Sequence, residues 1–326
     1  MWSDDEGGCG MAARAWGTQR RSLDEICVQS DAVSLCFLIN RRSRTMRVID
    51  FRAGPAAAKR SVVLSLAARE GVSRAYILVE RDEVATWTKL GFEREGHIPG
   101  FYKRSDAFVL GWVMARGTGR EESSVPVESE TRILAARAAD LPEDKGIVDA
   151  AHDLAERTLA RAKKLAKGWP ERAPAAKLTD LQSTDVRKPL AAAFKSGRAL
   201  TGFEPFGRDV ERRYYSATTR GGFELIVSVE SQVCFENAFL EALQAPRDES
   251  ERDSTVGAFL ALSEMLRAQG VVSTFAVSAS DDVQFAAAYV ASGYRRTGLL
   301  RSHLVIRGER KDGIVWSRKL ATVADE

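Results

Sequence analysis

RDSTVGAFLALSEMLRAQGVVSTFAVSASDDVQFAAAYVASGYRRTGLLR, residues 252–301, decides the fold. Its first part places Phe259, Leu262 and Leu266 at helical spacing, with Met265 beside them, and Gly270 follows as a left-handed stop. VVSTFAVSA (271–279) reads as a buried strand. DDVQFAAAYVASGY (281–294) opens on two acids suited to a helix N-terminus and closes on Gly293. LLRSHLVIRG and GIVWSRKL then read as two further strands. Strands alternating with helices in this way give an α/β signature.

Working outward, an earlier stretch repeats the plan. Arg52 to Gly71 corresponds to Arg252 to Gly270, EGVSRAYILVE to QGVVSTFAVSA, and KLGFEREG to ASGYRRTG, with each helix ending at a glycine. In front of both stretches lie short β-rich runs. EICVQSD, AVSLCFLIN and TMRVIDFR precede the first; ERRYYSATTR, GGFELIVSVE and QVCFENAFLEAL precede the second. The turn-forming residues between them suit antiparallel meanders. HIPGFYKRSDAFVLGWVM closes the first copy with strands broken at Pro99-Gly100.

The expected domains follow. Residues 1–22 are a leader without period, 23–116 the first copy, 117–130 a Gly-, Ser- and Glu-rich linker, and 131–326 a helical segment plus the second copy. TRILAARAADL (131–141) and GIVDAAHDLAERTLARAKKLAKGW (146–169) read as helices, the latter with Ile147, Ala151, Leu154, Ala162 and Leu165 near one packing stripe. PERAPAAKLTDLQSTD (170–185) reads as a soft stretch leading to a short helix around Pro189 to Ser196.

Composition sets bounds on function. Hydrophobic residues make up 44% and charged residues 29% of the 326, which is the balance of a globular chain. A net charge of +3 is too small to argue for nucleic acid. The start, MWSDDEGGCG, carries acids where a secretory signal needs bases, and no apolar run approaches the roughly 18 residues of a membrane span, so a cytoplasmic location is expected. Cys9, Cys27, Cys36 and Cys234 form no C-x-x-C pair and stand far from His97, His152 and His303, so the spacing offers neither a zinc framework nor a disulfide scaffold, and no metal is expected.

Both halves resemble the GNAT superfamily of acetyl-coenzyme A dependent N-acetyltransferases. GFEREGHIPGFYKRSDAFVLGWVM and GYRRTGLLRSHLVIRGERKDGIVWSRKL carry the likeness, and they look most like the beta-lysine N-acetyltransferase branch. The resemblance implies an α/β fold with a mixed sheet, in two tandem GNAT-like domains. The first would be truncated, since the residues before Glu25 are too few for the strand and two helices that open a complete domain.

The resemblance also implies a pyrophosphate loop of the form R/Q-x-x-G-x-G/A where a strand gives way to a helix. Free N–H groups and a helix dipole favour a phosphate there. In the second copy this falls on Arg252, Thr255, Val256, Gly257 and Ala258, with Thr255 in place of the first glycine. In the first copy it falls on Arg52, Pro55 and Ala57, with Lys59 and Arg60 nearby as charge compensation; Pro55 removes an N–H donor.

Two catalytic roles follow from the same resemblance. Tyr289, four residues before Gly293, takes the place of the tyrosine that protonates the departing thiolate, whereas the equivalent Trp87 has no ionisable hydroxyl. Glu236, in the strand before the loop, is the nearest carboxylate to deprotonate an amine, with strand alternation grouping it with Cys234 and Ala238.

Two functions are therefore expected to compete. One is acetyl transfer from acetyl-coenzyme A, as a substrate, to a small-molecule or peptidyl amine, with the site in the second copy. The alternative is a non-catalytic, GNAT-like structural or regulatory protein that serves as a platform for a protein partner or a homodimer. Neither reading involves nucleic acid or a membrane. A slot between the strand around 232–241 and the strand around 271–278 distinguishes the first from a closed sheet.

Overall fold

The computed structural model describes residues 23–114, 145–169, 173–220 and 222–321. The leader, the linker and the helix expected over 131–141 lie outside the described residues. The first copy runs β1 (Leu23–Gln29), β2 (Ser34–Asn40), β3 (Thr45–Asp50), α1 (Ala57–Arg69), β4 (Arg74–Val79), α2 (Val84–Lys89), β5 (Glu93–Ile98) and β6 (Ala107–Val113). The second follows α3 (Lys145–Leu165), β7 (Lys177–Leu181) and α4 (Arg187–Lys195). It runs β8 (Glu211–Thr218), β9 (Glu224–Gln232), β10 (Asn237–Ala242), α5 (Glu249–Ala268), β11 (Ser273–Ala279), α6 (Val283–Ala291), β12 (Arg295–Ile306) and β13 (Glu309–Lys319).

Both copies contribute to one thirteen-stranded mixed sheet in the order β1-β2-β3-β4-β6-β5-β12-β13-β11-β10-β9-β8-β7. The order reads the same from either end once β7 is set aside, so the copies are related by a pseudo-two-fold passing between β5 and β12. Gly96 pairs with Gly298 at that seam. In each copy the meander is antiparallel and the crossover through the first helix makes one parallel pair, β3 with β4 and β10 with β11. This is the expected α/β fold with a mixed sheet.

The glycine punctuation explains why the elements end where they do. Gly71, Gly91, Gly270 and Gly293 have φ of 64°, 101°, 85° and 84°, a region that other residues enter only at a cost, so each helix stops there and the chain turns into the next strand. Helix α5 begins one turn earlier than the hydrophobic spacing suggests. Asp248 caps it by accepting from Glu251 N (3.0 Å), and the Glu251 carboxylate reaches back to Arg247 N (2.9 Å), a variant of the capping box.

Four core clusters pack among the described residues; one, around Val186, Phe203 and Leu243, seats α4, and the other three hold the two copies. Helices α1 and α2 cover one cluster around Phe37, Val63, Trp87 and Phe92, and α5 and α6 cover another around Phe259, Phe285, Tyr289 and Trp316. The opposite faces of the two copies meet each other. Tyr76, Leu78, Phe101 and Val109 of the first pack with Phe239, Phe275, Leu300 and Val315 of the second. Burial of apolar area at about 25 cal/mol per Å² makes such a shared face a reason for the copies to stay together.

Two expectations are corrected. The soft stretch 170–185 contains β7, an edge strand paired antiparallel with β8. Its burial pattern is mostly exposed, so an apolar period never marked it. The stripe of α3 is rotated: Ala151, Ala155, Thr158 and Ala162 are buried, while Ile147 (61%) and Leu165 (38%) are exposed. Small residues face inward because α3 lies against α6, itself a run of buried alanines at 286–288, and only short side chains let two helix backbones approach closely. No described helix is long and apolar enough to cross a membrane.

Candidate functional site

The parallel pairing of β10 with β11 covers Asn237–Leu240 against Ser273–Ala276 and then stops. Beyond it β10 stays with β9 through Ala242, and β11 stays with β13 through Ala279, so the two strands part. A cavity of about 100 Å³ opens there, lined by Glu241, Ala242, Val277, Ser278 and Phe285 of the second copy. The first copy closes it with Arg42, Ser43, Arg47 and Tyr76, and Glu204, Phe206 and His303 complete the wall. The slot expected between these strands is therefore present, but its other side is the neighbouring copy.

Its electrostatics are set by burial. The Glu241 carboxyl is pushed up to about 8 by burial, against Arg212, which pulls it down, and with Glu204, which adds to the rise. Glu241 Oε1 accepts from Thr201 Oγ1 at 2.9 Å; Oε2 is buried without a hydrogen-bond partner. Burial also pushes Glu204 up, but Arg42 grips both of its oxygens, at 2.5 and 2.9 Å, and holds it below the usual carboxylate range. Arg47 lies over Phe206 at 4.6 Å and leaves its buried Nε unpaired. His303 Nδ1 accepts from Arg74 Nε at 3.2 Å, and burial followed by the charges of Arg74 and Arg310 holds the ring neutral. Among the described cavity-lining residues, the unpaired buried polar atoms are thus an acid oxygen and a guanidinium N–H.

The residues expected to hold coenzyme A do not form a cradle. Arg252, Thr255, Val256, Gly257 and Ala258 lie within α5 and are all buried, so their N–H groups belong to the helix rather than to a loop. Arg252 binds Glu249 (2.7 Å), Asp253 (3.1 Å) and Gln284 (3.2 Å). Thr255 Oγ1 donates to Glu251 O at 2.7 Å, a helix-interior bond. A side chain on Gly257 would collide with the Pro174 carbonyl, so this glycine admits a neighbouring segment of the chain, not a phosphate. The true start of α5 carries Asp248, Glu249 and Glu251, and these carboxylates use the helix dipole that an anion needs.

In the first copy the loop is turned inside out. Lys59, 1% exposed, donates to Asp50 Oδ2 (2.5 Å), Arg52 O (2.6 Å) and Gly54 O (2.8 Å), so the loop offers carbonyls to an internal ammonium. The expectation that Lys59 compensates a ligand's charge is corrected by this pairing. Arg60 stacks on Trp112 at 5.2 Å. Trp87 is fully buried and packs edge-on against Phe92, filling the place beside α1.

The expected catalytic pair is not brought together at the cavity. Tyr289 is 1% exposed, stacked on Trp316 at 5.3 Å and on Phe259 at 4.8 Å, and it is not among the cavity's lining residues; Phe285, one turn earlier, is. Burial pushes its phenol well above the ordinary value, the wrong direction for giving up a proton. Glu236 is not on a strand. It follows a 3-10 turn at Val233–Phe235 with φ of 53°, and its carboxylate pairs with Lys103 at 2.7 Å. The residue missed was Glu241. Once β10 is started at Asn237, alternation puts Glu241 on the face of Phe239, and a carboxylate on that inward face was the available signal.

No protein-family model matches the chain, and no curated protein matches it. Solved structures do. One is a putative acetyltransferase from Sphaerobacter thermophilus DSM 20745, with 18% identity over 45% of this chain and 94% of that chain and a TM-score of 0.36. Another is a mutant of the spermidine N-acetyltransferase from Vibrio cholerae, with 15% identity over 44% of this chain and 95% of that chain and a TM-score of 0.36. A third is the ribosomal-protein-S18-alanine N-acetyltransferase from Escherichia coli, with 16% identity over 46% of this chain and 97% of that chain and a TM-score of 0.34. The activities in those names belong to those proteins.

Proposed function

We propose that this chain is a GNAT-like ligand-binding protein that does not use acetyl-coenzyme A and takes a small amine in the cavity between its copies. One observation supports the reading: where the resemblance would put a pyrophosphate, the chain's own groups bond to each other, Lys59 in the first copy and the Asp248–Glu251 cap in the second. An entering phosphate would have to break these bonds and desolvate against carboxylates.

The amine follows from Glu241. An acid raised to about 8, with one buried oxygen unpaired, can pass its proton to an amine and become the partner of the resulting ammonium, which satisfies that oxygen. Arg47 Nε adds a donor, so an amine that also carries a carbonyl or carboxylate oxygen uses both. A cavity of about 100 Å³ suits a ligand of roughly seven to ten heavy atoms, since each water-sized unit takes roughly 10–15 Å³ of such volume.

Thermal unfolding of the full chain against a panel of small amines, amino acids and amino alcohols tests this. At least one is expected to raise Tm in the native chain and not in Glu241→Gln; no response across the panel contradicts it. A second reading, acetyl transfer to such an amine, is favoured by one observation, the parting of β10 and β11 beside an acid titrating near neutrality. Release of thiol from acetyl-coenzyme A in the presence of the amine, lost in Glu241→Gln, would establish that reading instead.

A further inference from the structure

The outer hairpin of the first copy brings together a carboxylate and two thiols that the cavity does not use. Glu25 and Cys27 are two apart on β1 and so share a face, and the register of β1 with β2 sets Cys27 directly opposite Cys36. Glu25 and Cys27 are exposed, and Cys36 is fully buried. Spacing along the chain hides this grouping, because its members are joined by strand pairing and no short Cys motif marks them.

The distances match one tetrahedral ion. Cys27 Sγ and Cys36 Sγ lie 3.7 and 3.5 Å from the same oxygen, Glu25 Oε1, and the three ligand atoms all fall within 4.8 Å of one another. Metal–sulfur bonds of about 2.3 Å and metal–oxygen bonds of about 2.1 Å at the tetrahedral angle set sulfur and oxygen roughly 3.6 Å apart. We propose that Glu25, Cys27 and Cys36 form a site for one thiophilic divalent cation of the zinc class, with the fourth position open to water on the exposed side of Cys27.

The exchange balances without redox chemistry. Two S–H bonds break, two metal–thiolate bonds and one metal–carboxylate bond form, and two protons leave to solvent. The two thiolates and one carboxylate exceed the cation's charge by one, and Arg208 supplies the compensating positive charge. Its Nε stands 2.8 Å from Glu25 Oε1, and its guanidinium lies over Phe51 at 5.6 Å. Arg208 belongs to the segment leading into the second copy's meander, so an ion here would fasten that segment to the outer hairpin.

The test is cobalt titration of the full chain in a Cys9→Ser, Cys234→Ser background, freed of metal and reduced with a phosphine. One equivalent should give a thiolate-to-cobalt charge-transfer band with the intense visible bands of tetrahedral cobalt, and zinc should bleach both. Cys27→Ser, whose site is exposed, and Glu25→Gln should each weaken binding by about tenfold or more, with circular dichroism unchanged. Cys36→Ser should abolish the band. A wild-type spectrum without thiolate charge transfer overturns the proposal, as does a band retained at full strength in Cys27→Ser. Quantitative Cys27–Cys36 disulfide formation on peroxide treatment, with no cobalt band before oxidation, would likewise overturn it and mark the thiols as a redox pair.

Discussion

Gly96 and Gly298 stand against each other where the two halves of the sheet join. They are equivalent residues of the repeat, reached at the same offset from the helix-ending Gly91 and Gly293. A Cβ on Gly96 would lie 2.6 Å from Gly298 Cα and 2.9 Å from Thr297 O, and one on Gly298 would lie 2.8 Å from Gly96 Cα. The obstruction is backbone on both sides, so it cannot rotate away. Arg74, fully buried, ties the seam beneath them by binding Glu95 and the Arg301 carbonyl.

Gly96→Ala is accordingly expected to destabilise the chain by about 1–3 kcal/mol, the usual cost of overpacking. Gly298→Ala should cost a similar amount, and the double variant less than the sum, because both enter the same contact. Urea unfolding followed by Trp fluorescence measures all three.

Lys59→Ala removes the ammonium that neutralises Asp50, whose side chain is 9% exposed, and leaves two loop carbonyls unbonded. The expected loss is about 3–5 kcal/mol, as for a buried pair deprived of one partner. A loss below about 1 kcal/mol in equilibrium unfolding would show that the plug is dispensable.

Glu241 and His303 bias the stability in opposite directions with pH and offset each other where their windows overlap, between 4.5 and 6.5. The folded pKa of Glu241 is raised, so its contribution is complete below the unfolded value of 4.5 and is lost as pH rises through about 8. The folded pKa of His303 is depressed, so its contribution is present above the unfolded value of 6.5 and is lost as pH falls toward the folded value. In Tm measured from pH 5 to 9, the fall above about pH 6.5 should be less steep in Glu241→Gln, and His303→Gln should extend that fall down to pH 5 by removing the offsetting contribution.

Tyr289 is a core residue in this account. Tyr289→Ala should cost about 3–5 kcal/mol, the range for deleting a buried aromatic. Near-ultraviolet circular dichroism should change as well, since Trp316 lies parallel to the tyrosine ring at 13°.

Much of the architecture was legible. The glycine stops, the two meanders and the repeat register are local patterns, and Gly96 aligns with Gly298 through KLGFEREG and ASGYRRTG. The site was less so, for reasons that lie in tertiary structure. Asp248-x-x-Glu251 is a capping signal that shifts α5 one turn earlier and absorbs Arg252 and Thr255, but a resemblance to a loop pattern draws attention away from it. The partners of Lys59 come from the preceding strand and loop, which helical periodicity does not reveal. The roles of Glu236 and Tyr289 rest on analogy of position alone, and the 3-10 turn before β10 and the aromatic stack beneath α6 are not visible in spacing.

The most direct test is isothermal titration of the full chain with acetyl-coenzyme A. On the proposed reading, Lys59 and the Asp248–Glu251 cap take the positions where the resemblance would put a phosphate, so no saturable heat is expected up to millimolar ligand. Stoichiometric binding at micromolar Kd, weakened by a charge reversal at Arg252, would contradict the account.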